Sequence, residues 1–237
     1  MFISPLVGYA TNNAGAHLHD VWGNSFVSLN ASQPGMFRLG DIKLKGCTWG
    51  SDWICFLDPL TSAQDPSKDV TYYSEEEAGS AEAAEWEDAY ENCMDDVEYP
   101  FGTGFVCNFV NTGITMTYAG QVNRDDVYST IDCTGKPYAT ICNMYPADLT
   151  FGQIKLENCV WGSDWVCFLD PATSAQDPSR DITYYSEEEA GSADAAEWED
   201  AYENCMDDVP LKMGEAFICN FVSPNVKVIF PTYKAAE

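Results

Sequence analysis

The sequence predicts an all-β protein of two tandem antiparallel β-sandwich-like domains, each with one short inserted amphipathic helix and stabilised by disulfides. Three observations lead there. Residues 47–97 recur as residues 159–209 with six mild exchanges: Thr48, Ile54, Leu60, Lys68, Val70 and Glu82 face Val160, Val166, Ala172, Arg180, Ile182 and Asp194. Short alternating or apolar runs separated by Gly, Pro, Asn and Asp recur through both halves, which is the pattern of strands and turns. Eight of the ten cysteines fall at equivalent positions of the repeat.

A chain of 237 residues accommodates two domains of about 100–120 residues each, and the repeat, offset by 112, divides it into residues 1–118 and 119–237. The unit is too long for a solenoid repeat and occurs only twice, so each copy is expected to bury its own core. In chain order, NSFVSLN and KPYATICN read as short strands. LGDIKLKGC and FGQIKLENC read as strands entered through Gly40 and Gly152, and WICFLDP as a strand ended by Pro59. GTGFVCNFVNTGITMTYAG reads as a strand pair joined at Asn111, Thr112 and Gly113, with Phe105, Cys107 and Phe109 on one face. From Ser80, SAEAAEWEDAYENCMDD is rich in Ala and Glu and lacks Gly and Pro. It sets Ala83, Trp86, Tyr90, Cys93 and Val97 on one stripe, which predicts an amphipathic helix with Ser80 as N-cap. By the 112 offset, FISPLVG, ITMTYAG and VKVIFPT are one strand type in three copies for two domains. The middle copy leads from one domain into the next without a linker, so the domains are expected to pack rigidly end to end.

An even number of cysteines without CxxC spacing points to disulfides rather than a metal site, and so to secretion. That inference outweighs the opening MFISPLVGYA, which has neither a basic n-region nor a long apolar core. Cys47, Cys55, Cys93 and Cys107 answer to Cys159, Cys167, Cys205 and Cys219. Cys133 and Cys142 align at the same offset with Val21 and Asn30 and are expected to pair with each other. Within each repeat, local pairing of Cys47 with Cys55 and Cys93 with Cys107 stands against Cys55 with Cys107, and spacing leaves both open. An extracellular or cell-surface location follows.

Eleven basic residues against 38 acidic ones give a net charge of −27, which argues against nucleic acid as a partner. No apolar run reaches the roughly 18 residues of a membrane helix, so a soluble chain without membrane insertion is expected. His17, His19 and Asp20 are zinc donors in type, but their cluster has no counterpart in the second half and reads as an exposed loop. Asp52, Asp58 and Glu75 to Glu77 single out no acid–base pair, and GxSxG, HExxH and phosphate-binding glycine loops are absent. The chain is therefore read as a non-enzyme. No cofactor is implied beyond calcium, for which Asp58, Asp65 and Asp69 in DPLTSAQDPSKD offer hard oxygen ligands at a spacing unlike an EF-hand; a solvated acidic loop is the plainer reading. Trp49 and Trp53, with their copies Trp161 and Trp165, form the candidate interface or ligand platform. Indole rings suit a sugar face or a protein contact, whereas the structural alternative sets one ring over the core and the other over a disulfide.

The order VGYA, LGDIKL, CFLDP, a Trp-containing acidic segment, GTGFVCNF and ITMTYAGQV resembles secreted bacterial β-sandwich surface repeats of unassigned function. The resemblance implies a secreted, β-rich, structural or adhesive role and transfers no catalytic residue. GQVN and FPTYKAAE in the second half depart from it. The expected function is a secreted structural subunit whose copies join head to tail into an extracellular filament or surface layer, FISPLVG of one molecule docking beside VKVIFPT of the next. The alternative is a carbohydrate- or calcium-binding adhesion module with surface glycans as partners.

Overall fold

The computed structural model describes residues 7–12, 19–64, 66–123, 128–170, 173 and 175–232, with the backbone alone at 7–12, 19, 20 and 67. The first repeat contains β1 (Val7–Asn12), β2 (His19–Gly23), β3 (Met36–Arg38), β4 (Ile42–Lys45) and β5 (Trp53–Cys55). It continues with β6 (Val70–Tyr73), helix α1 (Glu75–Ala78), β7 (Glu85–Glu87), β8 (Glu98–Pro100), β9 (Gly104–Asn108) and β10 (Thr115–Gln121). The second contains β11 (Thr130–Asp132), β12 (Thr140–Cys142), β13 (Leu149–Thr150), β14 (Lys155–Glu157) and β15 (Trp165–Cys167). After these come β16 (Ile182–Tyr185), α2 (Glu187–Ala190), β17 (Glu197–Asp200), β18 (Pro210–Leu211), β19 (Ala216–Asn220) and β20 (Lys227–Ile229). All pairings are antiparallel, and the protein is all-β with few helical residues.

Each repeat builds the same sheets. A five-stranded sheet runs β2-β9-β5-β6-β7 in the first and β12-β19-β15-β16-β17 in the second. A three-stranded sheet runs β1-β10-β4 or β11-β20-β14, and a two-stranded sheet pairs β3 with β8 or β13 with β18. Strand β4 alternates buried and exposed residues, as a strand with one solvated face does. In β9, by contrast, Gly104 to Cys107 are all buried. The cause is that both of its faces are covered. Phe105 and Cys107 enter the core of the first repeat with Ile42, Ile54, Trp86 and Met116, while Val106 faces the other repeat with Val21, Cys55, Cys142 and Ala216. A run that does not alternate marks a strand buried on both sides.

The two repeats meet through these outer faces in a reciprocal way. Trp22 bridges Glu215, and Ile141, the counterpart of Trp22, bridges Thr103, the counterpart of Glu215. Likewise the Gly23 N–H donates to the Gly214 carbonyl at 2.8 Å and the Cys142 N–H to the Gly102 carbonyl at 2.9 Å. Residue i touching j while the copy of j touches the copy of i is an isologous, two-fold contact. The repeats are therefore packed face to face about a pseudo-two-fold axis, and the end-to-end arrangement expected from the sequence is corrected.

The axis explains Cys142. Ladder register equates Thr140 with Val21 and Cys142 with Gly23, an offset of 119 residues, whereas Leu149 and Phe37 differ by 112. The first repeat holds the extra residues between Phe26 and Phe37, so the alignment of Cys142 with Asn30 and of Cys133 with Val21 is wrong. Gly23 and Cys142 meet at the axis: a Cβ on Gly23 would lie 2.4 Å from the Cβ of Cys142 and 2.5 Å from its Sγ. Only one of the two equivalent positions has room for a side chain.

Four further expectations change. NSFVSLN contributes one isolated bridge, Val27 to Gln121, and no strand. Strands β9 and β10 lie in different sheets, because the Asp52 carboxylate takes the N–H groups of Val110 and Asn111 and turns the chain away from a hairpin. The three-copy strand also dissolves: β1 pairs with β10 instead of repeating it, and β20 already has β11 and β14 on its two sides. FISPLVG lies outside the described residues up to Leu6, and VKVIFPT offers no open ladder beside β20. Finally, the helix from Ser80 does not form. Helix α1 is the four residues Glu75–Ala78, boxed by Ser74 and Glu77 and stopped at Gly79, whose φ is 81°.

Trp86 lies instead in β7, opposite Tyr72. Its ring is fully buried, its Nε1 donates to the Ile42 carbonyl at 2.7 Å, and its N–H donates to Asp95 at 2.9 Å. Beyond it, Asp88 gathers the N–H groups of Tyr90 and Asn92 into a turn with Glu91 at φ 62°. Burial of one indole thus overrides the helical propensity of the surrounding Ala and Glu. Tyr90, on the same stripe in the helical reading, is 85% exposed. Trp86→Ala is expected to cost roughly 3–5 kcal/mol in denaturant unfolding, and Tyr90→Ala less than about 0.5 kcal/mol; comparable losses would restore the helix.

Candidate functional site

The duplicated CTWGSDW loop is built around a carboxylate. Asp52 is fully buried and accepts the N–H groups of Thr48 at 2.7 Å, Val110 at 2.7 Å and Asn111 at 3.0 Å. Asp164 repeats this with Val160 at 2.7 Å, Val222 at 2.6 Å and Ser223 at 2.9 Å. Hydrogen bonds to an ionised acceptor are about twice as strong as neutral ones, and burial raises the cost of losing them. Gly50 completes the turn with φ 73°, its N–H donating to Thr71 Oγ1 at 2.9 Å. The carboxylate is thus a latch that ties the loop after Cys47 to the chain after β9.

The latch separates the two tryptophans. Trp53 is half-buried in β5 and packs against the seam between the repeats. Trp49 stays outside at 38% exposure, as does Trp161 at 38%. Trp165, like Trp53, is half-buried in a strand, β15. The four expected platform residues therefore divide into two outward and two inward rings. The outer ring is held in place: Trp49 Nε1 donates to Glu87 at 2.6 Å and its N–H to Glu77 at 3.0 Å, while Trp161 donates to Glu199 at 2.6 Å and to Glu189 at 2.9 Å. Tyr185 adds an edge contact to Trp161 at 6.0 Å. Each platform is one indole face beside two carboxylates. Sequence reasoning missed Glu77, Glu87, Glu189, Glu199 and Tyr185; the SEEE run before each Gly, read as a capping box, is the signal that places Glu77 and Glu189.

Of the residues read as calcium ligands, two are described. Asp58 accepts the Leu60 N–H at 2.7 Å and Asp69 accepts Gln64 Nε2 at 2.8 Å, and Asp65 lies outside the described residues. Among the described residues no cluster of three or more His, Cys, Asp or Glu could hold a metal. The zinc reading falls on His17, outside the described residues, and on His19 and Asp20, described by backbone alone.

All ten cysteines are thiols, so none of the expected disulfides is present. The expected pairs are also apart in the fold. Cys47 enters the first core while Cys55 faces the seam, and Cys93 is exposed while Cys107 is buried. Cys55 with Cys107 fails because Ile54 is the ladder partner of Cys107 and adjacent strand residues face opposite ways. The copies Cys159, Cys167, Cys205 and Cys219 follow the same layout. Cys142 belongs to the seam and Cys133 to the second core, in which Cys219 is also buried. Burial pushes Cys47, Cys55, Cys142, Cys159 and Cys167 up to about 12, so these thiols are protonated at neutral pH and poor nucleophiles.

No known protein family, curated protein or solved structure matches the chain. Among the described residues no helix is long and apolar enough to cross a membrane.

The latch has a direct test. Asp52→Ala strands three N–H groups in a partly buried loop and is expected to cost at least about 3 kcal/mol in reversible unfolding, with Asp164→Ala similar. A loss below about 0.5 kcal/mol for either would show the carboxylate to be dispensable.

Proposed function

We propose that the chain is a non-catalytic, bivalent carbohydrate-binding module of the extracellular space or cell surface, in which each repeat is a β-sandwich domain carrying one platform. The observation that carries this reading is the pair of outward indoles, Trp49 and Trp161, locked by identical carboxylate bonds at equal exposure. A pinned indole face suits the C–H face of a sugar ring, and the neighbouring carboxylates accept its hydroxyl protons. A neutral polyol also suits a chain of net charge −27, which repels anionic partners. Two platforms on one rigid body favour multivalent glycans, whose second contact is intramolecular.

Assembly into a filament is the second reading. With β20 flanked on both sides, it has to use the outward patches, where Trp49 lies on the latched loop that also holds Val110, itself 71% exposed. Such contacts bring like-charged surfaces together.

Calorimetry with neutral oligosaccharides decides between the readings. Saturable binding with two sites per chain is expected, with one site left in Trp49→Ala or Trp161→Ala and none in the double variant. Sedimentation of the same proteins is expected to show a monomer. Absence of binding at millimolar sugar, or binding indifferent to both substitutions, would refute the carbohydrate reading; oligomers lost in the double variant would favour assembly.

A further inference from the structure

Every backbone N–H of the loop that carries the outer indole is already used inside the protein. Thr48 donates to Asp52, Trp49 to Glu77, Gly50 to Thr71 Oγ1, and both Ser51 and Asp52 to the Thr48 carbonyl. The second copy repeats the set from Val160 to Asp164. The indole N–H is taken as well, by Glu87 Oε2 in one platform and Glu199 Oε2 in the other. Serine hydroxyls aside, what remains for a ligand is an indole face and hydrogen-bond acceptors.

The acceptor with capacity left is Glu87. Glu77 uses one oxygen for the Trp49 N–H and the other for the N–H and hydroxyl of Ser74. Glu87 uses Oε2 alone, and among the described residues its Oε1 meets no partner and is not buried. Glu199 is the same in the second platform, and neither residue joins an ion pair among the described residues. The carboxylate also acts on the ring. A charge-assisted bond at Nε1 pushes electron density into the indole, and a more negative face attracts a cation more strongly. In the second platform Tyr185 sets a further ring at 66° to Trp161, which makes two aromatic walls.

We infer that the platforms select a sugar that carries a free amine, an oligomer of amino sugars whose ammonium lies on the indole face within reach of Glu87 or Glu199. This rests on the carbohydrate reading and narrows it. A neutral hydroxyl fills the same acceptor, but an ammonium brings three donors and a charge. The net charge of −27 acts in the same direction, since it raises the local concentration of a polycation before contact. A cation on an exposed indole gains roughly two- to fivefold in affinity, and an exposed ion pair roughly as much again.

The test titrates the full chain by calorimetry with a glucosamine oligomer, its fully N-acetylated form and an oligolysine of equal charge, at about pH 6, where amines are protonated. The amino sugar is expected to bind at both platforms and at least about fivefold more tightly than the acetylated form. Glu87→Gln with Glu199→Gln keeps an acceptor for each indole N–H and removes the charge, and is expected to bring the two affinities together. Trp49→Ala with Trp161→Ala is expected to abolish binding of both sugars. Equal affinity for the two sugars in the unaltered protein would overturn the amine selectivity and leave the carbohydrate reading standing; binding of neither would overturn both. A preference that survives both Gln substitutions in folded protein, or oligolysine bound as tightly as the amino sugar, would likewise overturn the selectivity.

Discussion

The arrangement of this protein depends on a constraint at a single point, where Gly23 and Cys142 meet at the pseudo-two-fold axis. Equivalent residues that touch across such an axis compete for one space. A glycine on one side lets the two five-stranded sheets approach until the N–H groups of Gly23 and Cys142 reach carbonyls of the opposite repeat. That approach covers Val21, Val106 and Ala216, so β9 and β19 become strands buried on both faces. Each larger apolar side chain so covered stabilises the seam by roughly 1.5–3 kcal/mol. A duplicated chain normally retains two identical surfaces; here closing them on each other makes an internal dimer, and small asymmetries at the axis distinguish its halves.

The same closure sorts the duplicated surface into what holds the fold and what faces outward. Trp53 lies against the seam and Trp49 does not, and the division is made by Asp52, whose bonds to Val110 and Asn111 fix where the chain leaves β9. Near-identity of the two CTWGSDW segments therefore has a structural cause in the latch and the seam. It leaves only the outer indoles and their carboxylates for recognition. At the seam edges the symmetry is broken as well, with Arg180 and Glu215 on one side and Lys68 and Thr103 on the other.

Much of this was legible in the sequence, and the failures are instructive. The all-β class, β4 and β14, and the common burial of Phe105, Cys107 and Phe109 follow from local periodicity and turn residues. The helix from Ser80 fails because tertiary burial of Trp86 outweighs propensity, which no window of Ala and Glu reveals. The constant offset of 112 fails because the first repeat has a longer loop between Phe26 and Phe37, and every comparison upstream of that loop was shifted by seven residues. Cys142 then looked like half of a disulfide, although its position is set by the space opposite Gly23. Even cysteine counts speak to composition and compartment, whereas pairing is decided by which face of a strand each thiol occupies. The platform was half legible: Trp49 and Trp161 stand out in the sequence, but their carboxylate partners are brought in from α1, α2, β7 and β17 by the sheet.

The reciprocal seam is tested most directly by a double-mutant cycle between Gly23→Ala and Cys142→Gly, read by reversible unfolding of the full chain. A methyl group at Gly23 meets both the Cys142 side chain and the Thr103 carbonyl, the latter at 2.9 Å, so rescue is expected to be partial. The expected result is that Gly23→Ala alone costs about 2 kcal/mol or more and that Cys142→Gly recovers at least about 1 kcal/mol of that loss. Losses that add within about 0.5 kcal/mol would show that the two positions do not touch and would contradict the pseudo-two-fold packing of the repeats.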